Sequence, residues 1–149
     1  MTSAAMTAGL LLDVGKIIIA LEKPESIGSL VNVAAGAPYD WVIPATERDI
    51  LGCTHAEVGG CFLNLWGVTT PIVEAVTFHD DPTAVFNSEL DAVGVVHVSN
   101  YLAHWGASQD GGEAMEKMLN REYLQMVEVA DKEELWKDTV AQILSESSQ

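Results

Sequence analysis

The stretch LLLDVGKIII, residues 10 to 19, lies inside an almost wholly apolar run from Ala4 to Leu21, yet it carries Asp13 and Lys16 at its centre. A run of this character is either a membrane span or the buried central helix of a globular domain. A span needs about 20 mainly apolar residues, and a charge at its midpoint costs about 3 kcal/mol. Two central charges, flanks without basic anchors and no Lys or Arg ahead of Lys16 argue against a span and against a secretory leader. The run therefore reads as one buried helix over 4–21, with Gly9 and Gly15 marking the close approach of a neighbour. Asp13 must then be half buried or paired with groups from elsewhere in the chain.

At 149 residues the chain fits one domain with a sizeable core. Its formal charge of −15, from 22 acidic and 7 basic side chains, makes nucleic acid and anionic membrane surfaces poor partners. On one helix Cys53 and Cys61 would stand about 12 Å apart along the axis, too far for a disulfide. Without a CxxC pattern they read as reduced thiols of a cytoplasmic protein.

Helical punctuation runs through the rest. Pro24 opens a second helix ending near Gly36, 37–44 is a loop bounded by prolines, and 46–51 is a short helical piece. Thr54 and Glu57 form a capping box for a helix to Trp66, with an apolar stripe of Val58, Cys61, Phe62 and Leu65. Thr70 caps the next helix, with Pro71 at its first position and an end near His79. Ser88 and Asp91 start another through His104, 106–119 is a loop or linker, and 120–145 holds two C-terminal helices before a polar tail. VGVVHV passes as a strand in isolation, but no run of alternating apolar residues supports a sheet. The class is all-α. Trp66 is expected in the core, and Trp41 is the expected exposed aromatic.

The histidines share a direction. His55 lies on the face of Val58 and Phe62, His79 on that of Ile72, Ala75 and Val76, and His97 on that of Leu90, Val93 and Tyr101. One such histidine is by default a hydrogen-bonded core residue. Three from three helices, with Asp13 from a fourth, make either a first shell for Zn, Fe or Mn or a buried polar cluster that fixes helix packing. Spacing alone does not separate these.

The segments LLLDVGKIII, LGCTHAEVGGCFLNLWGVTTPIVEAVTFHDDP and DAVGVVHVSNYLAHW, in this order and spacing, resemble the HDOD domain, the HD-related output domain of bacterial signalling proteins. The resemblance spans about 4–105. The tail NREYLQMVEVADKEELW is similar to the end of HDOD domains attached to response-regulator receivers. It implies an HD-like helical bundle, here without the upstream helices of the full domain. Where catalytic HD phosphohydrolases carry a metal-binding His-Asp doublet, this chain has Leu12-Asp13. His55 matches a further ligand of the HD-GYP relatives, and His79-Asp80 matches their later histidine doublet with its second His replaced. Asn100 stands where the final ligand Asp falls, and His97 matches no ligand of those enzymes.

Asp13, His55, His79, His97 and Asn100 are thus expected to form a remnant metal or polar cluster, with Lys16 and Asp80 as auxiliaries. Lys16 reads as snorkelling in preference to pairing with Asp13. No cofactor is expected, and a single Zn, Fe or Mn on Asp13, His55 and His79 is the alternative. The favoured function is a non-catalytic signalling and interaction module, not an enzyme. Behind it stand a metal-dependent phosphohydrolase with a degenerate site and a nucleotide sensor without turnover, the last weakened by the charge and by the lack of a Gly-rich phosphate loop. Helix 4–22, left without upstream helices, is expected to expose apolar area and to meet a second copy or another protein, with a receiver or sensor domain upstream.

Overall fold

The computed structural model of the chain describes residues 2–34, 44–85, 89–107 and 117–147. In chain order the elements are α1 (Thr2–Leu11), α2 (Val14–Glu22), α3 (Pro24–Ala34), α4 (Pro44–Leu51), α5 (His55–Leu65) and α6 (Thr70–Phe78). After a 3-10 turn at Pro82–Ala84 come α7 (Ala92–Ala107) and α8 (Arg121–Met126), then a second such turn at Ala130–Lys132 and α9 (Glu133–Ser147). Among the described residues there is no strand, and VGVVHV lies within α7. The expected loop lies outside the described residues over 37–43, with Trp41, as do the Ser88 start and 108–116 of the expected 106–119 loop, while Pro44 already opens α4.

The capping box at α5 is complete. Thr54 accepts the Glu57 N–H at 3.2 Å, and the Glu57 carboxylate accepts the Thr54 N–H at 2.8 Å. Gly67, at φ +74°, turns the chain out of that helix in a conformation that a side chain would strain. At α7 it is Asp91 that accepts the Gly94 N–H, at 3.1 Å. At α6 the cap position falls on Thr69, not Thr70, and its side chain makes no capping bond.

The expected helix over 4–21 is two helices. By length and composition Ser3–Glu22 is apolar enough to cross a membrane, but it turns at Leu12–Asp13, where Asp13 has φ −97° and ψ 12°. The two halves dock on different partners: α1 packs against α6 and α7, whereas α2 packs against α5. A straight helix cannot do both. Gly15 makes the second contact possible, because a Cβ there would stand 1.9 Å from the His55 carbonyl oxygen and 2.8 Å from the Gly59 nitrogen. Gly9 has no such role, since a Cβ there would meet nothing within 4 Å.

One core gathers Ala5 and Ala8 of α1, Leu63 of α5, Ala75 and Val76 of α6, and Ala92, Val93 and Val96 of α7. A second joins Val98 and Tyr101 of α7 to Leu119, Tyr123, Leu124 and Val127. The first stretch of α7 and its middle thus serve different cores. Trp66 is not in either. It follows the last residue of α5, leans on Phe62 with ring centroids 5.6 Å apart, and is 75% exposed.

Candidate metal centre

His55 is the first residue of α5, held there by the capping box one position earlier. Its Nδ1 lies 2.7 Å from Glu47 Oε2, and the same oxygen accepts the His55 backbone N–H at 2.8 Å. A carboxylate accepts, so the proton sits on Nδ1 and the Nε2 lone pair points away from Glu47. His79 follows the last turn of α6, and its Nδ1–H donates to the Val76 carbonyl at 2.8 Å, which leaves its Nε2 as a lone pair too. Both side chains are buried and their rings are 5.3 Å apart.

Asp80 closes the group. Its Oδ1 lies 3.4 Å from His79 Nε2 and its Oδ2 3.9 Å from His55 Nε2. One ligand atom from each of His55, His79 and Asp80 falls within 4.8 Å of the others. Asp13 Oδ1 stands 3.6 Å from His55 Nε2 at the solvent side, where it also pairs with Lys16 at 2.7 Å. Lys16 therefore reaches Asp13 and does not simply snorkel. Burial opposes the Asp13 charge, but Lys16, His55 and His79 outweigh it and hold the carboxyl below its ordinary range. Burial pushes His79 below the usual imidazole range against the pull of Asp80, so it is neutral and free to ligate at neutral pH.

The donors fit a divalent cation. His55 Nε2 and Asp80 Oδ2 are both buried without a hydrogen-bond partner, and lone pairs facing a carboxylate repel unless a positive charge lies between them. Ligands at about 2.1 Å from a tetrahedral metal stand about 3.4 Å apart, close to the 3.4, 3.6 and 3.9 Å separations found here. Two imidazoles with carboxylates suit Zn, Fe or Mn better than Mg or Ca.

One residue expected in the cluster does other work. His97 is buried, but its Nε2 accepts the Asn120 N–H at 2.9 Å and its Nδ1–H donates to the His79 carbonyl at 2.6 Å. Neither nitrogen is left for a metal, so His97 is a bridge from α7 to the end of α6 and the cap of α8. Burial depresses its pKa as well, against the His79 carbonyl bond. Asn100 lines a groove of about 730 Å³ between α1 and α7, with Met6, Leu12, Asp13 and His104. Asp80, expected only as an auxiliary, belongs with His55 and His79 to the group whose ligand atoms lie within 4.8 Å of one another. Glu47 escaped the sequence reading: it sits in a short polar helix with no motif around it, yet it is only 2% exposed.

A family model described as the HDOD domain matches residues 1–82. Among solved structures, the chain is similar to a protein from Shewanella amazonensis SB2B named "Putative phosphohydrolase", with a TM-score of 0.64 and 19% identity. That likeness covers 94% of this chain and 50% of the other, so the chain spans half the length of its structural neighbour. At this identity the neighbour bears on the fold alone, an all-α HD-like bundle. No curated protein matches.

Proposed function

This chain belongs to the HDOD domain family, and from that premise we propose that it works as a non-catalytic output module, making protein contacts instead of turning over a substrate. The observation that carries this reading is the outer side of α1 and α2. Met6 and Leu10, one turn apart, and Ile17 and Leu21, again one turn apart, are all largely exposed, Leu10 by 87%. Each such side chain left in water forfeits roughly 1.5–3 kcal/mol of burial, and a row of them marks an interface. A second copy of the chain is the occupant that needs only one self-complementary patch. An upstream receiver or sensor and a cytoplasmic setting belong to the same proposal.

In this reading the buried cluster binds one divalent metal through His55, His79 and Asp80, with Asp13 on the open side. Bound there, the cation supplies positive charge and a tie between α2, α5 and the end of α6. The phosphohydrolase reading draws on the same lone pairs and on the groove beside Asp13. Against it, Leu12 replaces an imidazole, Asn100 replaces a carboxylate, and His97 has spent both nitrogens, which leaves too few donors for a two-metal site.

The test pairs metal analysis with hydrolysis. Protein loaded with Zn or Mn is expected to bind about one equivalent and to leave bis-p-nitrophenyl phosphate and cyclic dinucleotides intact. Turnover that disappears in His55→Ala would sink the proposal and establish the hydrolase.

A further inference from the structure

We propose that Glu47 is the positioning residue of this metal centre: its carboxylate holds His55 in the Nδ1–H form and so aims the Nε2 lone pair at the point shared with His79 and Asp80. The inference rests on the reading that the cluster takes a divalent cation. A carboxylate 2% exposed is costly to bury, and both of its short hydrogen bonds, at 2.7 and 2.8 Å, go to the one residue His55. Capping the His55 N–H alone would need no charge, because a Ser or Asn oxygen does as well. The anion is explained by the ring nitrogen.

Free imidazole prefers the proton on Nε2, the form in which His55 could not ligate toward His79 and Asp80. Glu47 reverses that preference and, as an anion behind the ring, makes Nε2 a stronger donor. The two histidines are held differently, since His79 has the neutral Val76 carbonyl behind it. The carboxylate also arrives from a fixed place. Arg48, its neighbour in α4, binds Glu57 of α5 at 2.9 Å, so α4 is tied to the start of α5 twice. Arg48 thus provides a control that loosens α4 without touching His55.

The experiment uses the full chain, first freed of metal with a chelator. Nitrogen-15 correlation spectra of the wild type are expected to find His55 protonated on Nδ1. Zn and Co(II) titrations against a competing chelator then compare wild type, Glu47→Gln and Arg48→Gln. Glu47→Gln keeps an acceptor oxygen but loses the charge, and is expected to weaken binding by about 10–100-fold, the usual effect of losing a partner behind a ligand. Arg48→Gln should stay within about threefold of wild type. Wild-type-like affinity in Glu47→Gln, or an equal loss in Arg48→Gln, overturns the inference while leaving the metal site standing. A wild type that takes up no metal overturns the reading of the site, and this inference with it. An Nε2-protonated His55 in the metal-free wild type overturns the inference alone, and that measurement decides even where Glu47→Gln fails to fold.

Discussion

Replacing Gly15 by Ala tests the contact on which the site is built. The new methyl carbon would lie 1.9 Å from the His55 carbonyl oxygen and 2.8 Å from both the His55 carbonyl carbon and the Gly59 nitrogen. All three are backbone atoms, so no rotamer change relieves the overlap. Ordinary contacts sit at about 3.5–4.0 Å, so α2 has to lift from α5 by about 1.5 Å. Overpacking of this kind costs about 1–3 kcal/mol, more where backbones collide, while Ala in place of Gly returns about 0.5–1 kcal/mol of helix propensity. The net expectation is a loss of about 2 kcal/mol, or a melting point lower by about 4–8 °C. Gly28→Ala is the matched control, because a Cβ there meets nothing within 4 Å, and it should gain about 0.4–1 kcal/mol. Urea unfolding followed by far-UV circular dichroism measures both, with an unchanged slope certifying that the native state alone is affected. Metal affinity should fall in Gly15→Ala and not in Gly28→Ala, since the displaced carbonyl belongs to His55. A Gly15→Ala protein as stable as wild type would refute the close crossing of α2 and α5.

His97→Leu leaves the Asn120 N–H and the His79 carbonyl without their partner, at a cost of about 2–4 kcal/mol, and should lower urea stability far more than metal affinity. Acid should weaken the metal-free fold in two windows. The His79 and His97 pKa values lie below that of an unfolded histidine, so the unfolded chain takes up protons first and stability falls as pH drops through about 6.5. Asp13 and Glu133 are also held low, Glu133 by Lys137 and Arg121 against its burial; their contribution, present above about pH 4, is lost below it. Urea midpoints between pH 8 and 3 check both, and flat stability from pH 7.5 to 5.5 would contradict the buried neutral histidines. Leu10→Lys, on the exposed side of α1, should turn a self-associating chain into a monomer in sedimentation at micromolar concentration without lowering its melting point; a wild type that sediments as a monomer would exclude the self-contact.

Where local chemistry decides, the fold is readable from the sequence. Thr54 and Glu57 cap α5 through bonds only three residues long, and the apolar phases of α6 and α7 turn His79 and His97 inward. The expected α5 stripe is not its buried face: Cys61 and Leu65 are exposed, and His55 turns inward with Ala56, Gly59, Gly60 and Leu63. What the phase cannot convey is what each imidazole meets. The partners of His97 come from 18 and 23 residues away, and only the packed chain reveals that they use up both nitrogens. The turn at Leu12–Asp13 has no local signal either, for no Pro or Gly occupies it. It exists because two halves of one apolar run dock on different helices. Glu47 is hidden for a related reason: a short helix carries no stripe to read, and the burial of this carboxylate is imposed by the end of another helix.

The opening puzzle, a carboxylate in the middle of an apolar run, then has a physical resolution. Asp13 sits where the run bends, so its helix need not bury it, and Lys16 compensates its charge at 2.7 Å while His55 Nε2 stands 3.6 Å away on the other side. Behind it Asp80 and Glu47 bring two further carboxylates, while Lys16, paired with Asp13, lies on the solvent side. Glu47 and Asp80, their side chains 3% and 24% exposed, put two carboxylates beside the one buried imidazole of His55, an unfavourable balance. Protonating the histidines would offset it, but burial resists that for His79. A cation between Nε2 of His55, Nε2 of His79 and Asp80, with Asp13 at the start of α2 on its open side, removes the imbalance without a proton and joins α2, α5 and α6 where they meet. The outer side of that same α2 carries Ile17 and Leu21. Metal in the interior would therefore stiffen the surface proposed to bind the partner, and dimer affinity measured with and without a chelator should differ in that direction.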